Sequence, residues 1–242
     1  MRTLYGVNPV KEAIAAGRHI EAAWILEGQC GRELRQLAER LERAGVAVTS
    51  ASRDSLARRS ETLKHQGIVA RVEALPNGSL TGLIKDRPED RLTVLVADHI
   101  QDPQNLGAIY RAADAFGVHL VFLPAHDACS HQLGSVAKAS AGAVEHVSTV
   151  VVSSLKVPIA ELKGHGFTVL GLEAGSGAWS AGAFEGGRLA LVVGSEGGGL
   201  TEPVRALCDR LVAIPSAGKV GSLNAAVACG VALYERHRQS GR

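Results

Sequence analysis

Apolar residues recur along this chain in two rhythms, one short and one long. Through the first 74 residues the runs are brief. NPVKEAIAAG opens with Asn8 as a candidate N-cap and Pro9 at the first helical position, and it stops at Gly17. EAAWILE reads as a strand. RELRQLAERLERAG spaces Leu34, Leu37, Leu41 and Ala44 as a helix does, opposite a charged face, and ends at Gly45. QGIVARVEAL reads as a strand again. PNGSLTGLIKDRPEDR is rich in Gly, Pro and charge and has no sustained period, which predicts a linker over 75–90.

From Leu92 the runs lengthen. LTVLVA is the kind of continuous apolar stretch found in a parallel strand buried on both faces. Leu106–Phe116 is predicted as a helix and VHLVFLP as the next strand. A helix around Gln132–Ala141, the strand STVVV and a helix over Leu155–Lys163 follow. FTVLGL, LALVVG and LVAIP supply three more strands, and a helix from Leu223 to Arg238 closes the pattern. Strands alternating with helices predict an α/β domain with a parallel sheet over 91–242, behind a smaller domain over 1–74.

Composition adds bounds. The 242 residues are 46% apolar and 21% charged, which suits a well-cored protein. Aromatics are only 4%, so RNA contact would rest on charge and shape more than on stacking. Residues 1–76 hold 12 Lys and Arg against 9 Asp and Glu, a mildly basic front part that fits an anionic partner. Cys30, Cys129, Cys208 and Cys229 are far apart and lack metal spacing, so free thiols and no metal are expected. MRTLYGVNPVKEAI lacks the apolar stretch of a signal peptide, and no run is long enough to span a bilayer, which predicts a cytoplasmic protein with no membrane partner.

Three segments place glycines and polar residues where a strand-like run meets a helix-like one. They are DPQNLGAIYRAADAFGV (102–118), LVVGSEGGGL (191–200) and IPSAGKVGSLNAAVACGVALYE (214–235). Ligands bind at such strand carboxyl ends in α/β sheets. Gly194-Ser-Glu-Gly-Gly-Gly does not have the dinucleotide-binding G-x-G-x-x-G spacing. Gly218-Lys219 lacks both the upstream Gly and the following Ser/Thr of a P-loop.

Taken in order, the three segments resemble motifs 1, 2 and 3 of the SpoU (TrmH-like) branch of the SPOUT methyltransferases, over about Leu92 to Tyr234. LYGVNPVKEAI and HQGIVARVE resemble the small L30e/L7Ae-like RNA substrate-binding domain that many members carry. Within the family this pairing most resembles bacterial enzymes that methylate a guanosine ribose in 23S rRNA. The resemblance implies a trefoil-knotted parallel sheet, S-adenosylmethionine as cofactor, transfer to a ribose 2′-hydroxyl, and a homodimer formed through the knotted domain. A tRNA or rRNA-adenosine substrate, or a non-catalytic L7Ae-like RNA-binding protein, are the alternatives.

Each site residue has a plainer reading beside the implied one. Arg111 lies off the stripe Leu106, Ile109, Ala113 and Phe116, as a solvated arginine would. The resemblance makes it the catalytic arginine, acting as a base or as an electrostatic stabiliser of the developing alkoxide. Asn105 fits the N-cap of its helix and, by resemblance, orients Arg111 or the ribose. Glu196 fits a turn and, by resemblance, positions motif residues. Ser222 and Asn224 fit helix capping and, by resemblance, contact the ribose or Arg111. The resemblance further assigns Leu172, Glu173, Gly194, Ile214 and Leu223 to the cofactor. Arg32, Arg35, Arg53, Arg58, Arg59 and Lys64 are the candidate RNA contacts. Relatives usually carry a second Ser before Ser-Leu-Asn and Val-Ser after it, where this chain has Gly221 and Ala225–Ala226.

Overall fold

The computed structural model describes all residues except 29–30, 89–90, 177–178, 180–181, 183, 185, 219–220 and 240–242, so Cys30 and Lys219 lie outside the described residues. The chain forms two units, Met1–Leu75 with Ser130–His146, and Pro76–Cys129 with Val147–Arg242.

In the first unit β1 (Arg2–Tyr5), α1 (Val7–Ala15), β2 (Ile20–Leu26), α2 (Arg32–Arg43), β3 (Ala47–Ala51), α3 (Arg53–Ser60) and β4 (Ile68–Val72) follow one another. The sheet order is β1-β4-β2-β3, with β4 antiparallel to both neighbours and β2 parallel to β3. The N-cap of α1 is Gly6 at φ 93°, not Asn8, so Asn8 and Pro9 lie inside the first turn. Glycine makes the sharp exit from β1 accessible. The orphan amide of Val7 is satisfied by Gln66 Oε1 at 3.2 Å, so no capping side chain is needed at that amide. Leu34, Leu37 and Leu41 are the buried face of α2, as their spacing predicts.

The second unit begins with α4 (Leu80–Asp86), a helix inside the stretch expected as linker; Ser79 caps it and Leu80 is buried. Then come β5 (Thr93–Ala97), α5 (Pro103–Ala115) and β6 (Leu120–Pro124). After α6 (Gly134–Ala139), which groups with the first unit, the chain runs on through β7 (Thr149–Val152), α7 (Lys156–Gly164) and β8 (Thr168–Leu172). β9 (Leu189–Val193), α8 (Glu202–Arg205), β10 (Arg210–Val212) and α9 (Ala225–Arg238) complete it. All six strands are parallel, in the order β10-β8-β9-β5-β6-β7. Every position of β5, β6 and β9 is buried, which is why these runs are apolar without alternation. The chain moves outward from β5 to β7 and then crosses to the other side of β5, so the topological switch lies between β5 and β9.

At the opposite ends of the strands, buried Arg236 of α9 donates to the carbonyls of Phe184 (2.7 Å), Gly186 (2.9 Å) and Leu92 (3.4 Å) and to Thr93 Oγ1 (3.3 Å). Burial, together with the charge of Arg91, pulls its pKa down to about 10. In the first unit Arg2 donates to the buried carboxylate of Glu145 at 2.5 Å and Arg18 to the Glu145 carbonyl at 2.7 Å, which fastens the 3-10 turn Ala143–Glu145.

Candidate active site

The switch point predicts where a ligand would sit, and the chain puts polar groups there. Asp102 caps α5: its carboxylate accepts from the amides of Gln104 (3.1 Å) and Asn105 (3.3 Å), with Pro103 at the first helical position. The helix therefore starts before Leu106, and Asn105 is not its cap. With its amide already satisfied, Asn105 is free to turn its side chain elsewhere, and Nδ2 donates to Glu196 Oε2 at 3.0 Å.

Glu196 rides on a tight turn after β9. Ser195 and Gly199 exchange both backbone hydrogen bonds at 3.0 Å, and Gly197 and Gly199 take φ of 78° and 66°. A Cβ on Gly194 would stand 2.2 Å from the Gly199 carbonyl, so only glycine allows the turn to close this tightly. The base of the turn is held by Asp98, fully buried at the end of β5. Its Oδ2 accepts from the Thr201 amide (2.7 Å) and hydroxyl (2.9 Å).

Asn224 closes the arrangement. It is the N-cap of α9, its Oδ1 accepting from the amides of Ala226 (2.9 Å) and Val227 (3.2 Å). Its Nδ2 donates to Asn105 Oδ1 at 2.9 Å and to Glu196 Oε1 at 2.5 Å. Asn105, Glu196 and Asn224 thus form a closed ring joining residues from three separate segments. Capping and bridging are both performed by this one side chain.

Beside the ring is a cavity of about 520 Å³ at the carboxyl ends of β8, β9 and β10. Leu172, Glu173, Gly194, Ile214, Ser222 and Leu223 all line it, as does Glu196. Ser222 and Leu223 are exposed and Ile214 is half-buried. Glu173 Oε2 is 3.1 Å from Arg205 Nε but buried and without a hydrogen bond. Arg111 stands apart. It is exposed on α5, does not line the cavity, and makes no hydrogen bond or ion pair with a described residue. It lies about 9 Å along the helix from Asn105 and about two-thirds of a turn round in angle.

The candidate RNA contacts separate by element. Arg53 and Lys64 line one cavity of the first unit. Arg59 stacks on Trp24 with its guanidinium carbon 4.1 Å from a ring centroid, and Arg58 is exposed on the same helix. Arg32 and Arg35 are exposed on α2 and line neither cavity. Among the described residues no three His, Cys, Asp or Glu cluster as metal ligands, and no helix is long and apolar enough to cross a membrane. Sequence reasoning missed Asp98 and Thr201. A single acidic residue after an apolar strand announces no partner a hundred positions away.

Family models match the sequence that builds this site. Residues 92–234 match the SpoU rRNA Methylase family, and residues 3–77 match the RNA 2'-O ribose methyltransferase substrate binding family. The chain belongs to the SpoU rRNA methylase family. It is 38% identical over 242 residues to the 23S rRNA (guanosine-2'-O-)-methyltransferase RlmB of Yersinia pestis, taking in 98% of this chain and 97% of that one. The enzyme of the same name from Escherichia coli (strain K12) is 36% identical over 239 residues, 98% of each chain. The crystal structure of the SpoU methyltransferase AviRb from Streptomyces viridochromogenes, in complex with the cofactor AdoMet, superposes with a TM-score of 0.79 at 26% identity. It covers 98% of this chain and 90% of that one. The two-domain α/β architecture is thus that of SpoU methyltransferases, and the chain is an RNA methyltransferase. The ring and its cavity fall within the SpoU methylase match.

Proposed function

We propose that this enzyme transfers a methyl group from S-adenosylmethionine to the ribose 2′-hydroxyl of a guanosine in 23S rRNA, and that it works in the cytoplasm as a homodimer with a trefoil-knotted catalytic domain. The observation that carries the reading is the Asn105–Glu196–Asn224 ring beside the glycine-walled cavity. Near-full-length likeness to enzymes named for that substrate supports the guanosine.

The cavity suits the cofactor on its own chemistry. Its volume of about 520 Å³ is that of a small-molecule site. Leu172, Ile214 and Leu223 offer apolar contact to an adenine, and Gly194 leaves the backbone bare. Glu173, paired with Arg205, puts a carboxylate on the cavity wall as an acceptor for hydroxyl or ammonium groups. When bound, S-adenosylmethionine supplies an electrophilic methyl on a sulfonium.

The chain's own residues do the rest. Both oxygens of Glu196 are engaged by amide donors, so its part is to hold the turn in place. Asn105 and Asn224 fix the starts of α5 and α9 against that turn, which keeps the acceptor in line with the methyl. Ser222 presents an exposed hydroxyl to the ribose. Arg111 turns its guanidinium to the 2′-oxygen and stabilises the alkoxide that develops as the hydroxyl proton passes to solvent, with a second pair of N–H groups for the adjacent phosphate. On α9, Val227, Val231 and Tyr234 are 38–53% exposed at positions that share one face, an apolar stripe suited to a second copy of this chain.

Transfer of labelled methyl from S-adenosylmethionine to purified unmodified 23S rRNA, beside bulk tRNA, tests the reading. Label on a guanosine ribose of the rRNA is expected. Label confined to tRNA, or on a base, would overturn it.

A further inference from the structure

The first unit holds a second cavity, of about 390 Å³, that the methyl-transfer chemistry does not use. Its walls include Arg53, Lys64, His65, Gln66 and Lys138, with no Asp or Glu among them. None of the three cations has an ion pair with a described residue; Lys138 is hydrogen-bonded to the neutral Gln66 side chain. Lys138 comes from the 130–146 segment and is brought here by the fold. A Cβ on Gly6 would stand 2.5 Å from its Nζ, so the ammonium lies close against the turn that follows β1. Burial lowers the Lys138 pKa from its ordinary value.

His65 adds an independent observation. It is 3% exposed, its Nδ1 accepts from the Gly67 amide at 3.1 Å, and its Nε2 is buried without a hydrogen-bond partner. Burial, and then the charge of Arg53, lower its pKa, which keeps the ring neutral near neutral pH. A neutral imidazole that accepts at Nδ1 carries its proton at Nε2. The cavity therefore gathers three cations and an unused N–H donor, the complement of an anion rich in acceptor oxygens. Leu63, 70% exposed at its edge, offers an apolar surface of the kind a sugar or base covers.

We propose that this cavity binds a backbone phosphate of the substrate RNA. The inference rests on the RNA-methylating function above and adds Lys138 and His65 to the residues that grip the substrate. A phosphate there positions the RNA without reading its sequence.

The test is binding of a fluorescein-labelled fragment of unmodified 23S rRNA across a salt series, with Lys138→Gln, Arg53→Gln and, as a control outside the cavity, Lys11→Gln. Thermal melts establish that each variant is folded. Lys138→Gln and Arg53→Gln should each weaken binding about tenfold and flatten the salt slope by roughly one phosphate contact. The KM for RNA should rise with kcat unchanged, and Lys138→Arg should restore binding. Wild-type affinity and slope in both variants would overturn the proposal. So would competition by inorganic phosphate beyond that of KCl at equal ionic strength, with the RNA slope unchanged, since that marks a free-anion site. Failure of the wild type to methylate rRNA would count against the proposed function alone, because the slope decides the cavity in either case.

Discussion

Asn224 accepts two hydrogen bonds and donates two at the same time, which a side-chain amide can do and a single hydroxyl or carboxylate cannot. Its Oδ1 takes two backbone amides at the start of α9, which leaves Nδ2 to face Asn105 and Glu196. Asn224→Asp keeps the cap and sets a second carboxylate against Glu196. Asn224→Ser keeps the cap and removes the bridge without adding charge. The aspartate variant should lose more methyl-transfer activity than the serine variant, on the order of 10² against 10-fold, with the two melting alike. Equal loss in both would remove the ring from the account. This double duty is partly legible in the sequence, since Asn before an apolar helix reads as a cap. Its partner was not, because Glu196 is 28 positions away and Asn105 is 119. Asn105 itself reads as a cap for the same reason; Asp102, three residues earlier and followed by Pro103, takes that place and frees it.

At the level of elements, apolar runs were easily read, the short ones of β2, β4 and β7 included, and weakly patterned elements were not. β5, β6, β8 and β9 fall where continuous Val, Leu and Ile stretches place them. β3 is AVTSA, with one buried position, and nothing in its pattern separates it from a loop. α3 is charged at half its positions and buries only Leu56 and Ser60. α4 hides in a stretch rich in Gly and Pro because one buried leucine and the Ser79 cap are enough for two turns. At the other end of the chain, Arg236 is a charge in an apolar-looking helix that serves as a bolt. It satisfies several backbone carbonyls at the amino-terminal ends of the strands. Arg236→Ala strips those carbonyls of their donor and should cost about 3 kcal/mol in unfolding free energy, read by denaturant titration. A variant within 0.5 kcal/mol of wild type, which is about the scatter for an ordinary surface change, would show the bolt to be idle.

Across the molecule, the strand order places the site, and no local pattern reveals that order. Motifs 102–118, 191–200 and 214–235 meet because β9 inserts beside β5 after the chain has gone out to β7 and returned. The change of rhythm near residue 90 announced a second domain, but the second unit already opens at Pro76, and the return of residues 130–146 to the first unit was not legible. That return carries Lys138, Glu145 and buried His131 with it. Burial, and then Arg2, hold the His131 pKa down to about 4 from an ordinary 6.5. The unfolded chain therefore takes up a proton first as pH falls. No penalty exists above about pH 6.5, and stability is lost between there and pH 4 at up to about 1.4 kcal/mol per unit for this group. His65 acts in the same direction. Melting across that range should show the decline, and His131→Gln should make it shallower. An unchanged slope in the variant would assign the acid sensitivity elsewhere.

The central claim is that Arg111, exposed on α5, supplies the charge that the ring and cavity do not. The most direct measurement is single-turnover methylation of unmodified 23S rRNA by Arg111→Ala at saturating S-adenosylmethionine, with cofactor affinity measured on the same samples. The account predicts a rate lower by about 10²–10³ with cofactor affinity unchanged. A variant that methylates at the wild-type rate would contradict it.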